Sequence, residues 1–233
     1  MISGMYWSRG KCAHNGDSLA LEEVCTNRGE FALLVVSDGV GSLEHDEIIS
    51  GYVVECMVRW FYESGMWSSL FFRRKMKKSL RRAILDCHLK LRQTASANNF
   101  KWAATCTLVC IQKGRFLCMQ IGDSCCMKIS GNKEKIICSR DRSEDGRLSS
   151  YIGSGNFCEP VFGFGRITGS DKLLVATDGF TDSFEKGEMS SMLSGSTTFT
   201  GERLEKRLVI IGEEADRRGA TDNRSAICVM RRG

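Results

Sequence analysis

The chain has 233 residues, 42% hydrophobic and 26% charged, enough apolar material for a substantial core. No apolar run nears the ~20 residues of a membrane-spanning helix, and the opening MISGMYWSRG turns polar too soon for an export signal, so a soluble, cytoplasmic protein is expected. The net charge is a modest +5, and twelve cysteines with no Cys-x-x-Cys pair, beside three histidines, form no zinc pattern.

In chain order, residues 17–24 and 31–37 read as strands joined by a turn at Asn27-Arg28-Gly29. Ser42 stands where it could cap a helix running to about Glu63, with Ile48, Ile49, Tyr52, Val53, Cys56, Met57, Trp60 and Phe61 as its apolar stripe. Residues 71–92 then carry nine Lys/Arg against one acid, Asp86, while Phe72, Met76, Leu80, Ile84 and Leu91 mark one apolar face. This is an amphipathic helix whose basic side reads either as a solvated face or as a docking surface for acidic or phosphorylated partners. The chain carries no nucleic-acid motif, and nucleic acid is not expected as a partner.

Three strand-like runs follow, 105–112, 116–121 and 125–129, with a hairpin-like turn at Lys113-Gly114. A turn at Gly131-Asn132 precedes 135–138, and the Gly- and Ser-rich stretch 141–166 reads as loop. Residues 172–177 form a strand, 202–218 a helix with Leu204, Leu208, Ile211 and Ala215 inward, and 225–231 the last strand. Antiparallel strands interrupted by helices predict an α+β fold in which helices pack on sheets and sheets on each other. One proline, Pro160, argues against a Pro-rich hinge, and residues 1–233 are expected to form a single domain. Cys106, Cys110 and Cys118 fall within strand runs and pack as small hydrophobes. Reduced thiols are expected, the alternative being a redox-sensitive Cys12.

Four acids stand at the edges of apolar runs: Asp38 before Gly39, Asp123 between Gly122 and Ser124, Asp178 before Gly179, and Asp222 before Asn223. A carboxylate at the end of a buried strand is costly unless its charge is compensated. One Asp-Gly pair is ordinary turn punctuation. Four such positions in one chain suggest strands converging on a shared cation. Hard carboxylate oxygens select Mg or Mn, and these ions activate water against phosphate esters.

The ordered motifs make the chain resemble the metal-dependent serine/threonine protein phosphatases of type 2C, in their bacterial-like minimal form. They are Asn15-Gly16-Asp17-Ser18, VVSDGVG (35–41), TCTLVC (105–110), IGDS (121–124), DRS (141–143), LSSYIG (148–153), LLVATDG (173–179) and TDNRSAICV (221–229). The resemblance spans nearly the whole chain. It implies a four-layer α/β/β/α sandwich of two antiparallel sheets flanked by helix pairs, with two Mn or Mg ions at one end. It implies hydrolysis of phosphoserine or phosphothreonine by a metal-bridging hydroxide, and a Ser/Thr kinase as partner. By position, Asp38 resembles the carboxylate bridging both ions, the Gly39 carbonyl binds the second, and Asp178 and Asp222 bind the first. Asp123 resembles a ligand of a weaker third ion, shared with Asp178, and Asp17 an acid that orients metal-bound water from one layer further out.

Two positions depart from the family pattern Arg-x-x-Asn-Glu-Asp: Cys12 replaces the phosphate-clamping Arg, and Gly16 replaces a Glu that supports the second metal. Arg9, Lys11 and His14 are the candidates to stand in for the lost clamp, though a Lys would not reproduce a bidentate Arg. Val40 follows Asp38-Gly39, as in bacterial-like members, and His45 reads as a solvated loop residue. The rival reading of the double loss is a pseudophosphatase that binds a phosphoprotein without turnover. Cys12 does not head a Cys-x5-Arg loop, since Ser18 stands where the Arg would be. The variable stretches 141–166 and 185–200 fall where members of this family vary around the site.

Overall fold

Strand 31–36 is apolar at every position, and the fold buries both of its faces. The structure, a computed structural model, describes residues 1–40, 45–67, 73–138, 150–153, 155–194 and 200–231. One five-stranded antiparallel sheet has the order β1 (Ile2–Ser8), β12 (Arg224–Met230), β11 (Lys172–Ala176), β7 (Cys125–Ser130), β8 (Lys133–Ile136). The other runs β10 (Val161–Arg166), β6 (Arg115–Ile121), β5 (Cys106–Gln112), β3 (Gly29–Asp38), β2 (Asp17–Thr26). A short pair, β4 (Ala103–Ala104) and β9 (Ile152–Gly153), completes the strands among the described residues.

Side-chain alternation of period two sorts the core into three layers. Phe31, Leu33 and Val35 of β3 face the helices α1 (Asp46–Trp60) and α2 (Arg73–Asn98), meeting Ile49, Val53, Met57, Leu80 and Ile84. Their neighbours Ala32, Leu34 and Val36 face the other sheet, against Leu173, Val175, Ile227 and Val229. On the far side, Leu174, Ala176, Ala226 and Cys228 lie under Leu204, Leu208 and Ile211 of α5 (Gly201–Arg217). Two short helices, α3 (Asp178–Thr181) and α4 (Glu188–Leu193), share that flank. The result is the four-layer α/β/β/α sandwich. Each fully buried Leu or Ile contributes about 2 kcal/mol to it.

Several elements differ from the sequence expectation. β1 was not anticipated, because ISGMYWS mixes Gly and Ser into an edge strand whose order comes from pairing with β12. β10 falls inside the stretch expected to be loop. Its Gly163 and Gly165 read locally as turn residues, yet they answer to packing: a Cβ at Gly163 would lie 2.4 Å from Ile137, and one at Gly165 would lie 2.4 Å from the Phe116 ring. β8 begins two residues earlier than the 135–138 run. The first helix ends at Trp60 and passes into a wider π turn, Phe61–Gly65; Ile48, expected on its apolar stripe, is exposed, and Val54 is buried instead. Ser42, Phe72 and the 141–143 motif lie outside the described residues.

Candidate active site

Antiparallel pairing gathers the acids. β3 ends where β2 begins, so Asp17 and Asp38 are direct cross-strand partners. β6 turns into β7 through 122–124, β11 runs into α3 at Asp178, and Asp222 lies just ahead of β12. Strands of alternating direction thus deliver five carboxylates, from residues as far apart as 17 and 222, to the same end of the sandwich. Oxygens of Asp38, Asp123 and Asp178 lie within 4.8 Å of one another. Asp222 reaches the cluster through its charge on Asp38 and Asp17.

Each acid is braced by backbone or hydroxyl groups. The Asp38 N–H donates to Thr105 Oγ1 (3.0 Å) and the Thr105 N–H to the Asp38 carbonyl (2.8 Å). Thr105 Oγ1 in turn shares a hydrogen bond of 2.9 Å with Ser124 Oγ, tying the β3 end to the Asp123 turn. Gly122 takes that turn with φ 97°, a left-handed conformation suited to glycine. The Thr177 hydroxyl donates to Asp17 Oδ2 (3.0 Å) and accepts from the Ser225 N–H (3.0 Å). Asp178 and Asp222 each accept the N–H of the next residue, Gly179 at 2.7 Å and Asn223 at 2.8 Å. Gly179 permits the closest approach among the described glycines: a Cβ there would sit 2.1 Å from the Asn223 carbonyl and 3.1 Å from Asp222 Cβ.

The electrostatics call for a cation. Burial holds the Asp38 carboxyl well above the ordinary carboxylate range, and the charges of Asp17, Asp178, Asp222 and Asp123 push the same way. Burial raises Asp17 to about 7, with Asp178 and Asp222 adding to the shift against the pull of the Ser225 and Thr177 hydroxyls. Asp17 Oδ1 is buried without a hydrogen-bond partner among the described residues. Crowded hard oxygens, a buried unsatisfied carboxylate oxygen and repulsion among like charges fit one or more divalent ions of the Mg or Mn type.

The N-terminal candidates are placed differently. The Arg9 guanidinium donates to the Ala13 carbonyl (3.0 Å), closing its own loop, and Lys11 is exposed. His14 Nε2 lies 2.9 Å from Asp46 Oδ1. The Cys12 thiol donates to the Thr221 carbonyl at 3.2 Å. The structure therefore ties Arg9 and His14 to partners of their own. Asn223, to which sequence reasoning gave no role, fastens this loop: its Oδ1 accepts from the Gly16 N–H (2.7 Å), and its Nδ2 donates to the carbonyls of Arg9 and His14 (3.0 Å each). Thr105 and Thr177 were missed in the same way. The signal was present, since each adjoins or lies inside a quoted motif, but no local pattern says which hydroxyl reaches which acid.

A family model described as protein phosphatase 2C matches residues 9–209. The chain belongs to the protein phosphatase 2C family. The solved serine/threonine phosphatase of Staphylococcus aureus is similar over 100% of this chain and 96% of its own, at 20% identity and a TM-score of 0.85. PppA, a regulatory component of T6SS in Pseudomonas aeruginosa, is similar over 98% and 96%, at 23% identity and a TM-score of 0.78. The catalytic domain of the serine/threonine phosphatase PstP, solved in complex with two manganese ions, is similar over 97% and 96%, at 18% identity and a TM-score of 0.74. No curated protein matches the chain. Among the described residues, no helix is long and apolar enough to cross a membrane.

Proposed function

We propose that this 2C-family protein is an active Mg- or Mn-dependent phosphatase acting on phosphoserine or phosphothreonine in proteins. The observation that carries the reading is the convergence of Asp38, Asp123 and Asp178 on one point, with Asp17 and Asp222 beside them. Asp38, Asp178, Asp222 and the Gly39 carbonyl would hold two ions, and Asp123 with Asp178 a weaker third. Bound ions of this kind supply Lewis acidity, lowering the pKa of water and neutralising charge that develops on phosphate. Asp17, with Oδ2 fixed by Thr177, keeps Oδ1 for a water proton. No nucleophilic thiol is needed, and Cys12 spends its S–H on a backbone carbonyl. The partner is a phosphorylated protein, and a Ser/Thr kinase is the class of enzyme that supplies it. Residues 1–233 act in this reading as one catalytic domain.

The test is hydrolysis of a phosphothreonine peptide with Mn, with Mg and with chelator. Turnover should require the metal and fall roughly 10³-fold in Asp38→Asn. Turnover that persists in chelator, or in Asp38→Asn, overturns the reading. A folded protein with no turnover in either metal points instead to a phosphoprotein-binding role.

A further inference from the structure

Position 16 carries no side chain, yet the space beside it is filled by a carboxylate from elsewhere. A Cβ at Gly16 would lie 2.7 Å from Asp46 Oδ2 and 2.9 Å from Asp46 Cγ. Asp46 opens α1, and its side chain is 2% exposed. Its backbone is pressed equally close to Gly39: a Cβ there would lie 2.4 Å from the Asp46 carbonyl oxygen. Gly39 in turn donates its N–H to the Gly16 carbonyl at 3.1 Å. Asp46 therefore packs against both Gly16 and Gly39, one residue from Asp38.

A buried carboxylate costs free energy unless it is compensated. On Asp46 the visible compensation comes from two neighbours. Oδ1 accepts the Glu47 N–H at 2.8 Å and meets His14 Nε2 at 2.9 Å, but the His14 side chain is 61% exposed and solvent screens what charge it carries. An acid in the first turn of α1 is favoured by the helix N-terminus. The Asp46 carboxylate also lies with ligand atoms of His14 and Glu47, all within 4.8 Å of one another. A cation beside Gly39 would add to that compensation.

We propose that Asp46 is a positioning residue for the divalent site, supplying from the start of α1 the carboxylate that position 16 lacks. It supports an ion on the Gly39 side of Asp38, with His14 orienting its outer oxygen. The chain thus keeps the charge of its metal site while moving the residue that carries it. This rests on the phosphatase reading, and it makes Gly16 and Asp46 a coupled pair.

The experiment is calorimetric titration of Mn into the metal-free full chain, which reads ion binding without reference to turnover. Asp46→Asn should weaken one binding step about 10–100-fold. Gly16→Glu alone should not strengthen binding, because its Cβ meets Asp46. The double variant Gly16→Glu/Asp46→Gly, which moves the carboxylate to position 16, should recover affinity to within a few-fold of the parent. His14→Ala should cost less than Asp46→Asn. The proposal is overturned if Asp46→Asn binds Mn like the parent, if the double variant stays as weak as Asp46→Asn, or if His14→Ala alone reproduces the whole loss. A parent that binds Mn, with Asp38→Asn abolishing binding and Asp46→Asn unchanged, removes this inference and leaves the phosphatase reading standing. A parent that binds no Mn overturns both.

Discussion

Asp17 is ionised only against resistance. Its carboxyl is raised from 3.8 to about 7, so between those values the metal-free fold holds a proton that the unfolded chain has released. The stability linked to this proton is fully present below about pH 4 and is lost as pH rises through about 7. At about 1.4 kcal/mol per pKa unit the loss is on the order of 4 kcal/mol at most. In chelator, thermal melts from pH 4 to 7 should therefore fall more steeply for the parent than for Asp17→Asn, and added Mn should flatten the difference; parallel profiles would show that Asp17 is not the group responsible. Gly179 makes a second case at this scale. Gly179→Ala forces a Cβ into the Asn223 carbonyl and drives Asp178 away from Asp222. Mn affinity should drop about 10-fold while the far-ultraviolet circular dichroism stays native. Among the described thiols, Cys56 is lowered to about 7, chiefly through its hydrogen bond from Cys87. A lowered, half-exposed thiol is the more reactive kind.

The basic helix α2 fits neither of its two sequence readings completely. Arg73 lies 4.7 Å over the Phe164 ring, Lys77 4.8 Å over Phe162 and Arg81 5.7 Å over Phe157, while Arg81 also pairs with Glu159. Part of the basic face is thus a clamp holding β10 and its approach to the helix. Such contacts contribute about 0.5–1 kcal/mol each at exposed sites. The triple variant Arg73→Ala/Lys77→Ala/Arg81→Ala should lower the unfolding free energy read from urea melts by about 1–3 kcal/mol in all. Arg74→Ala/Lys78→Ala/Arg82→Ala should cost less than half of that; equal losses would refute the clamp. The outward triple is also the cleaner probe of partner docking, since it leaves the clamp intact.

At the scale of the whole molecule, the alternating direction of the strands is what turns scattered acids into a site. The local patterns carried much of the fold. Residues 31–36 are apolar on both faces, and the helix of 202–218 shows a clear 3.6-residue stripe at Leu204, Leu208, Ile211 and Ala215, all fully buried. The turns at 27–29 and 113–114 correctly join paired strands, because turn chemistry and alternation are short-range properties. The ordered motifs, above all those around Asp38 and Asp178, sufficed to name the family. What could not be read were β1 and β10, whose order comes from a distant partner, and the glycines of β10, whose reason is a neighbouring side chain. The replacement of a carboxylate at position 16 by one at position 46 belongs to the same class. It depends on how the start of α1 packs against β2 and the end of β3, and packing between segments thirty residues apart leaves no trace in either segment's own pattern. Sequence determined which residues could bind a hard cation, through their chemistry and their places at strand ends. Tertiary structure decided which of them meet, because strand register and helix docking alone set those distances.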